Sequence, residues 1–247
     1  MTARLDVADD RSTLRFDRFI PHGRERVWRA VTDPAELARW FPGAVVYEPR
    51  VGAPMQFDFG GEHGLDPWPG EVLEWDPPRV FAFAWNEDIL RFELDEADAG
   101  TELVFTHSFA HQPGKAARDA SGWSACFEAF DALLDGRPLA SAEDAWRDHK
   151  DEYTAAFGAL SVEGPDGSLS LSLMGPYLEV DGRPAVAIGL DDGGGGVLVV
   201  RDADQALEDG AAVEIRAGSV DEPGEVLTTG TLRDPLAGAR STLAASG

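Results

Sequence analysis

From Ala44 to Phe109, apolar and polar residues alternate with period two, the repeat of a strand with one buried face. Met55/Phe57/Phe59, Phe81/Phe83/Trp85, Leu90/Phe92/Leu94 and Leu103/Phe105/His107/Phe109 fall on one face; Gln56, Asp58, Arg91, Glu93, Glu102 and Thr106 fall on the other. Turn-forming clusters at Gly52-Ala53-Pro54, Gly60-Gly61, Pro67 to Gly70, Asp76-Pro77-Pro78, Asn86-Glu87-Asp88 and Asp95 to Gly100 divide the stretch into an antiparallel meander of about five or six strands. Only Glu71 to Trp75 lacks a clear phase, because Val72 competes with Leu73 and Trp75 for the inner side. Ahead of the meander, Leu14 to Ile20 reads as a strand stopped by Pro21-His22-Gly23. Arg24 to Thr32 then carries Val27, Trp28 and Val31 at helical spacing.

Asp33-Pro34-Ala35-Glu36 reads as the start of a second short helix: Asp33 caps the free amides, Pro34 suits the first turn, and Glu36 is placed to close a capping box. That helix ends near Trp40-Phe41-Pro42-Gly43. After the meander, Lys115 to Leu134 returns to helical spacing, with Trp123, Phe127, Phe130 and Leu134 forming an aromatic stripe for the sheet. Asp135-Gly136-Arg137-Pro138 stops it, Ala140 to Glu143 looks like a capped start, and Trp146 to Phe157 gives a last short helix.

Beyond Ser161 the composition shifts to glycine and β-formers. Alternating stretches at Leu169 to Met174, Tyr177 to Val180, Ala185 to Leu190, Val197 to Arg201, Ala212 to Ala217 and Val226 to Leu232 predict a small all-β appendage, with a frayed tail after about Asp234. The expected domains are therefore 11–160 and 161–247. Asp191-Asp-Gly-Gly-Gly-Gly196 has neither the lysine of a phosphate loop nor the spacing of a calcium loop, and reads as a hairpin connection.

Charge narrows the partners. Against 21 basic residues stand 45 acidic ones, a formal charge of −24. Nucleic acid and anionic membrane surfaces would be repelled. Cys126 is the only cysteine, so no disulfide can form within the chain. With no signal-like or membrane-length apolar run, a cytoplasmic location is expected.

The order of strand, two short helices, meander and long helix is matched by four motifs. Arg24-Glu-Arg-Val-Trp-Arg-Ala-Val-Thr-Asp-Pro-Ala-Glu-Leu-Ala-Arg-Trp-Phe41 resembles the opening of bacterial homologues of the heat-shock-protein-90 ATPase activator, a START-like (helix-grip) family. Gly70-Glu-Val-Leu-Glu-Trp-Asp-Pro-Pro-Arg-Val-Phe-Ala-Phe-Ala-Trp85, Thr101-Glu-Leu-Val-Phe-Thr-His107 and Gly122-Trp123 agree with it. The match spans roughly residues 11–157 and implies an α+β fold in which a curved antiparallel sheet wraps a long helix over an apolar cavity. Residues from Ser161 onward match no part of that pattern.

The resemblance and the strand phase together nominate a ligand site for a small hydrophobic molecule, lined by Trp40, Phe57, Phe83, Trp85, Phe92, Phe105, His107, Trp123, Phe127 and Phe130. The same rings would serve equally as ordinary core. Trp40 and Phe41 are expected at the cavity mouth, as a gate or a rigid plug. His107 is the polar residue on the inner face, suited either to orient a ligand carbonyl or, in an enzyme of this fold such as a cyclase or hydrolase, to act as acid or base. A third reading is a chaperone-associated or regulatory factor that meets a protein partner through its acidic surface or residues 161–247. No cofactor and no metal site are expected, since His107 and His111 lack a third ligand in sequence. Cys126, among apolar neighbours, is expected to be an inert buried thiol.

Overall fold

The alternating stretch folds as six strands: β3 (Ala44–Tyr47), β4 (Pro54–Asp58), β5 (Trp68–Asp76), β6 (Val80–Trp85), β7 (Asp88–Ala97) and β8 (Gly100–Ala110). They are preceded by β1 (Arg4–Ala8), β2 (Arg11–Ile20), α1 (Arg24–Thr32) and α2 (Pro34–Leu37), and followed by α3 (Lys115–Leu134) and α4 (Ala142–Phe157). These elements belong to a computed structural model, which describes residues 2–8, 11–59, 67–139, 142–190, 195–239 and 241–244. The turn at Gly60-Gly61, the helix start at Ala140 and the acidic end of the 191–196 loop lie outside the described residues.

The protein divides into two compact units, one of residues 1–110, 120–149 and 241–247, the other of residues 111–119 and 150–240. The first holds a nine-stranded antiparallel sheet in the order β15-β1-β2-β8-β7-β6-β5-β4-β3, where β15 is Ser241–Ala244. Neighbouring strands follow one another along most of the sheet, as in a meander; the exceptions are β2 against β8 and β15 against β1. The chain end differs from the frayed tail read from the sequence. Ser241 to Ala244 pairs antiparallel with Val7 to Arg4. The strand Arg4–Ala8 likewise lies outside the expected boundary at residue 11.

Strand phase explains the burial. In β8, Leu103, Phe105, His107 and Phe109 are all buried, and across the ladder Leu90, Phe92 and Leu94 of β7 face the same side. The ambiguous segment of β5 proves to be a bulge. Val72 pairs with Phe83 but Glu74 pairs with Ala82, so Leu73 is the extra residue. One inserted residue reverses the phase. Val72 and Trp75 can therefore both turn inward while Leu73 stays exposed.

Local signals set the α1–α2 corner. Asp33 Oδ1 accepts from the amides of Ala35 and Glu36 at 2.8 and 3.2 Å, as a cap should. The capping box, however, is not closed. The Asp33 amide already donates to Arg29 O as α1 ends, and Glu36 instead pairs with Arg26 and Arg29 at 2.5 and 2.8 Å.

The second unit contains a closed six-stranded barrel of β9 (Leu160–Gly164), β10 (Gly167–Val180), β11 (Arg183–Leu190), β12 (Gly195–Val200), β13 (Ala212–Gly218) and β14 (Pro223–Arg233). Two stretches that read as separate strands, Leu169 to Met174 and Tyr177 to Val180, are one strand with a register shift between Leu173 and Tyr177. The strand that sequence reading missed, β9, pairs with both β10 and β14 and so closes the ring, which removes the free edges an open sheet would leave. Val162, Leu171, Val186, Leu198, Val213 and Leu232 are among the residues filling its core. Among the described residues, no helix is long and apolar enough to cross a membrane.

Candidate functional site

All ten residues nominated from the sequence come together in the first unit, as one contiguous aromatic array between the sheet and the inward stripe of α3. Phe105 is central: its ring lies 4.8 Å from Phe92, 4.7 Å from Trp123 and 5.3 Å from Phe127. Phe57, Phe83 and Phe92 form a stacked row, with centroids 5.7 and 6.4 Å apart. Offset and edge-to-face contacts at these distances are the favourable geometry for aromatic rings. Gly70 permits the packing, since a Cβ there would lie 2.3 Å from Ala84 O and 2.6 Å from Phe57 Cε2.

Trp40 and Phe41, expected at a cavity mouth, are instead part of the packed array. Trp40 stacks near Phe127, stands edge-on to Phe130 at 5.0 Å, and donates its indole N–H to Ala30 O at 2.9 Å. That bond fastens the residue after α2 to α1, and both Trp40 and Phe41 are buried.

The polar end of the array is built around His107, which is fully buried. Trp123 Nε1 donates to His107 Nδ1 at 2.9 Å, and His107 Nε2 lies 2.8 Å from Asp88 Oδ2. An indole can only donate, so Nδ1 is the accepting nitrogen and Nε2–H faces the carboxylate. Both ring nitrogens are thereby engaged. An acid–base dyad needs one imidazole nitrogen turned to the substrate, and in this arrangement Trp123 occupies it.

Asp88 was not among the nominated residues, having been read as part of a turn. Period two from Leu90 would have found it, because Asp88 shares the inward phase of β7. Arg18 was missed in the same way, lying in phase with Leu14, Phe16 and Ile20 of β2. Its guanidinium sits 4.7 Å over the Phe127 ring, and its Nη2 donates to both oxygens of Asp131 on α3 at 2.7 and 2.8 Å.

Trp85 differs from the other tryptophans of the array. Its ring is surrounded by Phe41, Phe57, Trp68, His107 and Trp123 at 5.7 to 6.2 Å. The indole Nε1 is shielded from solvent and, among the described residues, has no hydrogen-bond partner. A buried donor left in that state costs about 1–3 kcal/mol. Cys126, on α3, is partly exposed, and desolvation pushes its thiol up to about 12.

Residues 21–135 match the family described as Activator of Hsp90 ATPase homolog 1-like protein. Among solved structures, a conserved protein of unknown function from Enterococcus faecalis, EF2215, superposes with a TM-score of 0.51 at 18% identity, over 62% of this chain and 91% of that one. CalU16 from Micromonospora echinospora gives a TM-score of 0.51 at 17% identity, over 63% of this chain and 93% of its own. No curated protein matches the chain at a significant level. At such identities the likeness speaks for fold alone. Every nominated residue falls within 21–135, the segment that matches the Activator of Hsp90 ATPase homolog 1-like family, whose domain has the helix-grip fold.

Proposed function

We propose that the first unit binds a small, largely apolar molecule carrying one hydrogen-bond acceptor, held among the rings around Trp85 with its acceptor on the Trp85 indole N–H. The observation that carries this reading is the shielded Nε1 of Trp85, unpartnered among the described residues, in an otherwise aromatic interior. Pockets for small molecules are mostly apolar with a few placed polar groups, and a single fixed donor gives orientation at little cost. His107 supports the reading as a positioning residue. Held by Asp88 and donated to by Trp123, it keeps the neighbouring Trp123 ring in place. Proton transfer through His107 is the weaker alternative, since it would have to give up one of those two bonds first. The protein is read as a binder rather than an enzyme.

The test pairs ligand discovery with Trp85→Phe. Native mass spectrometry of protein purified gently from its source, followed by denaturing extraction, identifies the bound molecule. Trp85→Phe keeps most of the ring and removes the donor. It should weaken retention of the molecule about tenfold, while the ligand-free protein gains about 1 kcal/mol by losing a buried orphan donor. A variant that binds unchanged, or a ligand-free protein that is destabilised like an ordinary core truncation, would overturn the assignment of Trp85.

A further inference from the structure

The first unit also carries a surface cleft of about 300 Å3 whose lining shares no residue with the array. Trp28 of α1, Tyr47 of β3 and Trp75 of β5 form its walls, and Asp33, Pro34 and Pro49 complete the rim. Trp28 and Trp75 meet at 5.2 Å and 59°, Tyr47 and Trp75 at 6.1 Å and 66°. Adjacent rings at such steep angles make three sides of a box rather than a flat stack. The walls are fixed: Tyr47 stacks on Phe81 at 5.5 Å and donates its hydroxyl to Thr32 O at 2.5 Å, while Trp75 stands edge-on to Phe81.

Asp33 contributes the charge. Its Oδ1 is consumed by the amides of Ala35 and Glu36, and among the described residues its Oδ2 has no hydrogen-bond partner. The carboxylate and the aromatic walls share one space, since Asp33, Trp28, Tyr47 and Trp75 all line the cleft; burial and, after it, the field of Asp33 raise the Tyr47 hydroxyl above its ordinary range. The cation nearest at hand does not fill the box. Arg29 lines the cleft, but its guanidinium is held by Glu36, which Arg26 also contacts. Among the described residues, the arginine found over an aromatic face is Arg18.

We propose that this cleft binds a quaternary trimethylammonium group, carried by a small molecule, between the faces of Trp28, Tyr47 and Trp75 and beside Asp33. Aromatic faces attract a cation through the ring quadrupole, most strongly for tryptophan. A primary ammonium would bring three strongly hydrated donors to walls that are mostly ring faces, and the Asp33 carboxylate alone does not replace that hydration. A quaternary, trimethylated ammonium brings none, so the ring faces and one carboxylate suffice. The net charge of −24 draws such cations toward the surface as a whole.

The test uses the full chain, with choline as the probe and its neutral isostere 3,3-dimethylbutan-1-ol as the control. Indole N–H resonances of Trp28 and Trp75, assigned through Trp28→Phe and Trp75→Phe, should shift saturably with choline. The isostere should bind at least about tenfold more weakly, the share of a desolvated cation–π contact. Asp33→Asn keeps a good cap while removing the charge, so it should weaken choline binding severalfold without unfolding the corner. Trp75→Leu should weaken it further, with far-UV circular dichroism checking that the sheet persists. Equal binding of the isostere, saturation unchanged in Asp33→Asn, or no saturable shift at choline on the order of 0.1 M would each overturn the proposal.

Discussion

Removing the Asp131 carboxylate tests how α3 is tied to the sheet. Arg18 is almost wholly buried, with 9% of its side chain exposed against 39% for Asp131, and among the described residues its Nη1 already lacks a partner. In Asp131→Ala the guanidinium stays over Phe127 with neither bond to its counter-charge. Breaking a buried pair in this way costs about 3–5 kcal/mol, and the lower end applies because water reaches the Asp131 side. Two gains offset part of it: alanine is the better helix former by roughly 0.6 kcal/mol, and removing an acidic group from the last turn of α3 relieves roughly 0.3 kcal/mol. The net loss is about 2 kcal/mol, or about 1 M in urea midpoint for a slope near 2 kcal/mol/M. Arg18→Met, which keeps the stem over the ring and removes the charge, should cost less than about 1 kcal/mol, and the double variant should resemble it. Tryptophan fluorescence is the assay of choice. All seven tryptophans, from Trp28 to Trp146, lie in the first unit, so the signal follows that unit and not the barrel. A loss below about 0.5 kcal/mol in Asp131→Ala would mean the pair behaves as an exposed one, and the reasoning from burial would be wrong.

Further outcomes follow from single residues. Gly70→Ala should destabilise the first unit sharply, since the new methyl would meet Ala84 O and the Phe57 ring; a urea midpoint unchanged from wild type would contradict the close approach. The raised Cys126 thiol should be nearly silent toward a thiol-specific disulfide reagent at pH 8 and release one equivalent after unfolding, and rapid labelling of the folded protein would refute its desolvation. Hydrogen bonds from Arg15 and then Arg4 hold the Asp17 carboxyl below its usual range. A depressed folded pKa gives stability that is present above the unfolded value, near 3.9, and lost as pH falls through the folded one. Asp17→Asn should therefore match wild type at low pH and fall behind it above about pH 4, by less than about 1 kcal/mol because the pair is exposed. A difference that grows on acidification would have the wrong sign.

Much of the first unit was legible because its elements carry one strong signal each. Period two in β7 and β8, the Asp33-Pro34 start of α2, and the Trp123/Phe127/Phe130 stripe on α3 all rest on contacts within one element or across one ladder. What escaped the reading depends on partners distant in sequence. Strand β15 is recognisable only through its pairing with β1, more than two hundred residues earlier. The β9 strand is short and follows a helix, and its role in closing the barrel comes from β14. The bulge at Leu73 is a different case: an unclear phase between Val72 and Trp75 was itself the signature of an inserted residue.

The site shows the same division at the level of side chains. Alternation assigned the apolar residues of the inner face and carried His107 with them, because a pattern search counts hydrophobic positions. Arg18 and Asp88 lie on the same face by the same alternation, and were passed over because charged residues are expected outside. Each is admitted by a partner from another element, Asp131 on α3 for Arg18 and His107 on β8 for Asp88. Trp85 reverses the case. Sequence phase puts it on the inner face with the other rings, yet what sets it apart is a partner it lacks among the described residues, and a missing partner leaves no trace in the sequence. Reading charged residues that fall in phase with a buried face as inward, and then asking what pairs them, would have recovered both pairs from the strand pattern of β2 and β7 alone. Finding the unpaired indole required the packed interior.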